Sequence, residues 1–151
     1  ISVTGSKRKR TSRRTTKTRN HGEDTMPDSE TKKEKIVYIG TYAGENPEKA
    51  SLPFVLANAA LAMEVDAVVA LQSTGVFLAK KGYLDNVFAA GLPALKELVE
   101  SFLEQGGQLL VCVPCMRERK IEETDLIEGA KPAAAAYLTT EILEADATLV
   151  Y

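Results

Sequence analysis

A chain of 151 residues, 44% of them apolar, has room for one ordinary domain with a real core. Its net charge of −2 hides an asymmetry: eight Lys/Arg in residues 1–25 stand against Glu23 and Asp24, leaving 11 basic and 19 acidic residues, a charge of −8, for the remainder. That remainder carries no basic patch for nucleic acid. No apolar stretch is long enough to cross the ~30 Å hydrocarbon layer, and no leader with a cleavage site opens the chain, so it reads as cytoplasmic.

Residues 1–34 are rich in Ser, Thr, Lys and Arg and poor in large apolar side chains, a composition that predicts a disordered basic tail. The chain opens on Ile1, and Met26-Pro27 reads as the true start, so the basic stretch is read as a non-native leader. The competing reading, a nucleic-acid-binding arm, lacks the aromatic platform on which bases stack.

From Lys35 the pattern changes. Lys35–Gly40, rich in β-branched residues, predicts a strand, and the apolar stretch from Pro47 to Glu64 predicts a helix with proline at its first turn, where no N–H is missed. Within it, Phe54–Met63 is apolar on nearly every side, with Asn58 the lone polar break. Such a helix is buried on two faces, and in a domain this small the second cover is expected to be another copy of the chain.

Asp66–Gln72 predicts the second strand, Pro93–Gln105 a helix ended by Gly106-Gly107, and Gln108–Val113 the third strand. A helix is expected over Pro132–Glu144, again with proline at its first turn, and a last strand over Ala147–Tyr151. Strands alternating with helices predict βαβ units: a parallel sheet with helices on both faces.

In such a sheet, ligands bind beyond the carboxyl ends of the strands. Three loops are expected on that rim: Gly40–Gly44, Gln72–Gly75 and Cys112-Val113-Pro114-Cys115. The third bears the only two cysteines, which cannot make a disulfide framework and, as a C-x-x-C pair in a reducing compartment, point to catalysis, redox chemistry or metal. A helix start, with Arg117, Arg119 and Lys120 nearby, is expected to favour thiolate and bring a thiol toward neutrality. Against this stands the reading of both as small buried hydrophobes.

Other chemistries lack parts. A structural zinc site needs four ligands, and the single histidine, His21, lies in the tail. Only two chains pooling their cysteine pairs would supply such a site, so no metal and no cofactor is expected. No phosphate-cradling glycine motif follows a strand, and no histidine is placed to serve a hydrolase as base. The acidic run Glu118, Glu122, Glu123, Asp125 and Glu128 reads as a solvated face rather than a docking face.

The folded part resembles the DsrE/DsrF-like family of small sulfur-relay proteins. The resemblance lies in Gly44-Glu45-Asn46-Pro47, Leu52-Pro53-Phe54, Ala57-Asn58-Ala59-Ala60, Gly75-Val76 with Leu78-Ala79 and Gly82, Gly91-Leu92-Pro93, and Val111-Cys112 followed by Arg119. It implies a three-layer α/β/α sandwich over residues 35–151, with a central, mainly parallel sheet, assembling into a homotrimer or homohexamer. It also implies that Cys112 receives sulfane sulfur as a persulfide from one protein and passes it to another. Cys115 is an addition found in part of the family, and Lys120 stands where glycine is usual, a change expected to act on the turn and to leave Cys112 in place.

On this reading Cys112 accepts sulfur, Cys115 assists release, Arg117 and Arg119 supply the positive field, and Thr41, Thr74 and Gly75 line the pocket. Two alternatives remain open: a dithiol redox protein cycling Cys112 and Cys115 through a disulfide, and a ligand-binding or scaffolding oligomer with inert thiols.

Overall fold

The computed structural model describes residues 32–151, and the expectations for the basic tail lie outside them. In chain order come β1 (Lys35–Gly40), α1 (Pro47–Ala62), β2 (Asp66–Leu71), α2 (Leu95–Glu104), β3 (Gln108–Cys112), α3 (Val113–Glu118), β4 (Ala130–Ala133), α4 (Ala135–Glu144) and β5 (Ala147–Val150). Short 3₁₀ stretches at Ser73–Ala79, Tyr83–Asn86 and Glu123–Asp125 fill the longer connections.

The strands form one sheet in the order β4-β3-β2-β1-β5, and every pairing is parallel. Alternate side chains feed two cores. Tyr38, Val69, Leu71, Leu109 and Val111 face Phe54 of α1 and Val99 and Phe102 of α2, with the two phenyl rings edge to face at 5.8 Å. Val37, Ile39, Val68, Ala70, Leu110 and Ala133 face the other way, onto Leu138 and Ile142 of α4. The α/β/α sandwich follows from this period-two division of strands that are apolar on both sides.

One sequence expectation fails here. Residues 132 and 133 belong not to a helix but to β4, and α4 begins only at Ala135. Proline suits the first turn of a helix, yet it also suits a sheet edge, where its missing N–H leaves no ladder bond unmade. β4 is an edge strand.

Helix α1 starts as its sequence predicts, with Asn46 capping the Lys49 N–H at 3.1 Å and Pro47 in the first turn. Its inner face buries Ala50, Phe54, Ala57 and Ala60. Asn58 joins it to α2: the side-chain amide donates to the carbonyl of Leu98 at 2.9 Å and accepts from Gln105 at 2.7 Å. The outer face stays open in the single chain, with Leu56 40% and Met63 75% exposed. On the opposite layer Lys35 of β1 meets the buried Glu141 of α4 at 2.5 Å, an ion pair that pins α4 to the sheet.

Candidate functional site

Cys112 is the last residue of β3 and pairs in register with Ala133 at the end of β4. Beyond this point the two strands send the chain to opposite faces. The β3–β4 connection buries Met116, Ile121 and Leu126 in the core under α1 and α2, whereas α4 crosses the other face. Parallel sheets open a crevice where neighbouring strands diverge in this way, and the crevice is where they bind ligands.

At the carboxyl end of β3 the Cys112 side chain packs, like that of Cys115, against the core under α1 and α2. Cys112 also borders a pocket of about 50 Å³ lined by Ala70, Leu71, Gln72, Leu110, Pro114, Ala133–Ala135 and Leu138. A roomier cavity of about 410 Å³, lined in part by Lys81, Leu84, Lys96 and Val99, includes neither cysteine.

Burial pushes the Cys112 thiol above its ordinary pKa, and the hydrogen bond and charge of the Cys115 side chain push the same way. The backbone N–H of Cys115 and the charge of Arg119 pull back without prevailing. This corrects the expectation of a thiolate favoured at a helix start. The helix in question, α3, has only six residues, so its aligned peptide dipoles are few, and desolvation by burial outweighs them.

Cys115, in the first turns of α3, faces the loop after β2. Its sulfur accepts the backbone N–H of Ser73 at 3.3 Å, and Ser73 holds the left-handed conformation, φ +50°, from which it makes that contact. Arg119 donates to the Cys115 carbonyl at 3.1 Å and lies 6.0 Å from the Phe77 ring. Arg117 is exposed at the end of α3 and is not drawn into this group.

The other rim residues act as a frame. Thr41 donates both its N–H, at 3.0 Å, and its hydroxyl, at 2.5 Å, to the Tyr151 carbonyl. The Thr74 hydroxyl lies against both the Glu45 carboxylate and the Thr41 carbonyl, and the Gly75 N–H donates to that carbonyl at 3.3 Å. Gly75 has no room for a side chain, since a Cβ there would stand 2.5 Å from the Gly40 carbonyl oxygen. Thr41, Thr74 and Gly75 thus come together on the rim but do not border the Cys112 pocket.

Two further residues were not singled out for a role by sequence reasoning. Ser73 contributes through its backbone, which no sequence signal marks. Glu45, visible only as part of the Gly44–Pro47 stretch, accepts the Ala43 N–H at 3.0 Å as well as Thr74. Burial works against its carboxylate, but these hydrogen bonds and the charge of Arg119 outweigh it and hold its pKa below the ordinary value.

Lys120, where the resemblance leads one to expect glycine, adopts φ +54°. The glycine-type turn is therefore kept, and the lysine bears the strain. In the acidic run, Asp125 and Glu122 cap one another around a 3₁₀ turn, with the Glu122 N–H 3.0 Å from the Asp125 carboxylate. Among the described residues no group of three or more His, Cys, Asp and Glu side chains is placed to hold a metal ion.

Known proteins share this architecture. The crystal structure of the ychN protein from E. coli superposes with a TM-score of 0.67 at 23% identity, covering 78% of this chain and 99% of that one, which speaks to the fold alone. Two uncharacterized proteins of Methanocaldococcus jannaschii are similar in sequence: one is 35% identical over 105 residues, the other 32% over 117. An uncharacterized protein of Methanopyrus kandleri is 32% identical over 116 residues. These alignments take in 70%, 78% and 77% of this chain. They span 38% of the first relative, which is a much longer protein, and 99% and 93% of the other two. The family model for DsrE/DsrF-like proteins matches residues 34–151, and with the crevice cysteine at the end of β3 the chain belongs to the DsrE/DsrF-like family.

Proposed function

We propose that this protein carries sulfane sulfur as a persulfide on Cys112. The observation that carries the reading is the placement of the free Cys112 thiol at the carboxyl end of β3, in register with the end of β4, with the free Cys115 thiol three residues on. The Cys112 sulfur attacks the outer sulfur of a donor persulfide, R–S–SH. The donor's S–S bond breaks, a new one forms on Cys112, and the displaced proton goes to the departing R–S⁻. Persulfide and thiol change places with no net oxidation.

A thiol of raised pKa is a poor leaving group in exchange reactions, so cargo on Cys112 resists stray small thiols. Cys115 assists release by taking the outer sulfur in the same kind of exchange before an acceptor protein removes it. The Ser73 N–H steadies the sulfur of Cys115 for that step, and Arg119 lends positive charge to both thiols' surroundings. Thr41, Thr74 and Gly75 keep the three loops in register. Donor and acceptor are proteins of the same cellular compartment, taken as the cytoplasm. Among the described residues no helix is long and apolar enough to cross a membrane. The exposed outer stripe of α1 suits a homotrimer or homohexamer.

Mass spectrometry after incubation with a persulfide-loaded sulfurtransferase tests the reading. The wild type gains the mass of one sulfur, Cys112→Ser gains none, and Cys115→Ser gains it but releases it more slowly to an acceptor thiol. Absence of any gain in the wild type sinks the proposal.

The C-x-x-C spacing of the two free thiols also favours a second reading, a dithiol that cycles through an intramolecular disulfide. Rapid equilibration with glutathione, lost in both Cys→Ser variants, would select it. Unimpaired turnover of Cys115→Ser would exclude it and leave the carrier intact.

A further inference from the structure

Away from the cysteines, the cavity of about 410 Å³ lies between α2 and the turn that leads into β4. Its walls are held by bonds of their own. The Ile127 N–H donates to the Ala79 carbonyl at 2.8 Å and the Lys81 N–H to the Asp125 carbonyl at 2.9 Å, so that Lys80 stands opposite Leu126 in a short antiparallel pairing. On the other flank Lys96 and Asp85 meet at 2.8 Å. Preformed spaces of ~300–1,000 Å³ are the kind that take small ligands.

The floor is apolar and the rim carries both signs of charge. Leu84 and Val99 are buried beneath the cavity, with Leu103 and Ile127 half-buried beside them. The charges are sorted along its length. A more open hollow shares Glu100, Leu103 and Glu128 with the cavity and adds Glu104 and Gly129, and no cation lines it. Lys80, Lys81 and Lys96 all lie in the part away from that hollow. Two of these lysines are engaged, Lys96 by Asp85 and Lys81 by the Thr124 carbonyl at 2.7 Å. Among the described residues Lys80, Glu100 and Glu128 make no ion pair. Glu128 follows Leu126 by two residues, which sets it ~7 Å from the level of Lys80 at strand spacing.

We propose that this cavity binds an aliphatic chain with a carboxylate at one end and an ammonium group at the other, five carbons apart, as in 6-aminohexanoate or a carboxyl-terminal lysine. The carbons lie on Leu84, Val99, Leu103 and Ile127. The carboxylate meets Lys80, and the ammonium group meets Glu100 and Glu128. An amine without the carboxylate leaves Lys80 unanswered, and a carboxylate without the amine leaves both glutamates so. The site is separate from the cysteine chemistry and stands or falls without it.

Titration of the full chain with 6-aminohexanoate, followed in amide nuclear magnetic resonance spectra, tests the proposal. Saturable shifts are expected at Gly82 and Gly129, which lie at opposite ends of the cavity and its adjoining hollow. Hexanoate and hexylammonium, with the same body and one charge each, are expected to bind about fivefold or more weakly, the equivalent of ~1 kcal/mol for each lost contact. Absence of saturable shifts at these glycines, or equal affinity for all three compounds, overturns the proposal.

Two variants assign the ends. Lys80→Met is expected to lower the affinity for 6-aminohexanoate to that of hexylammonium, and Glu100→Gln combined with Glu128→Gln to that of hexanoate. All three positions are exposed, where substitutions seldom disturb the fold. Full affinity in either folded variant overturns the proposal. The peptide glycylglycyl-lysine and its carboxyl-terminal amide separate the two sources of such a ligand. Binding of the free-acid peptide as tight as that of 6-aminohexanoate supports the chain end of a partner protein, and weaker binding supports a free small molecule. An amide that binds as well as the free acid overturns the role given to Lys80.

Discussion

Cys112 and Cys115 are three residues apart and chemically unlike. Cys112 borders a small, mostly apolar pocket at the end of β3, whereas the Cys115 sulfur accepts a backbone N–H of the β2 loop. With its pKa raised, chiefly by burial, Cys112 holds less thiolate at neutral pH than an exposed cysteine does. In the Cys115→Ser variant, reaction with the neutral reagent iodoacetamide is expected to keep accelerating with pH after free cysteine, of pKa about 8.5, has levelled off. A plateau at or below the pH of free cysteine's plateau would contradict the assignment. The position of Cys112 was readable from sequence because a strand's end is marked by the end of its apolar run. Its titration was not, because the burial that raises it comes from packing against residues distant in the chain. The same holds for Ser73 and Cys115, which are 42 residues apart, and for Glu45 and Thr74, 29 apart.

The elements that sequence patterning located were those with a period of their own. β1, β2, β3 and β5 are continuous apolar runs, and α1 and α2 carry a proline or a glycine at the boundary. β4 is four residues long and contains Pro132; its strand character comes from pairing with β3 rather than from its own sequence. The 3₁₀ stretch Ser73–Ala79 is held by close approach to the end of β1 at Gly75. Gly75→Ala is expected to cost ~2 kcal/mol, the usual penalty of forcing atoms into a filled space, and to disturb the Ser73 contact with Cys115 as well. Chemical denaturation together with the Cys115 labelling rate checks this. An unaltered unfolding midpoint would show that the loop can back away from β1.

For the molecule as a whole, Leu56 of α1 and Met63, the residue that caps its end, are exposed on a helix whose inner face is already filled. If copies of the chain cover that stripe, Met63→Glu places a charge in a contact that excludes water and is expected to shift sedimentation from an oligomer to a single chain, with the fold kept. A wild type that sediments as a single chain at micromolar concentration rules this assembly out. Sequence reasoning could anticipate the stripe, since α1 lacks a wet face, but not which surface would meet it.

The strand order has a consequence for how the domain comes to exist. β1 lies between β2, which follows it closely, and β5, the last strand among the described residues, just beyond which the Tyr151 carbonyl is gripped by the rim residue Thr41. During synthesis β1, β2 and β3 can pair as they emerge, while the far side of β1 waits with unmet N–H and C=O groups until more than a hundred further residues have been made. Over that interval the nascent chain offers an open sheet edge to any passing strand, and the closing of the rim around the cysteines comes only with the arrival of β5.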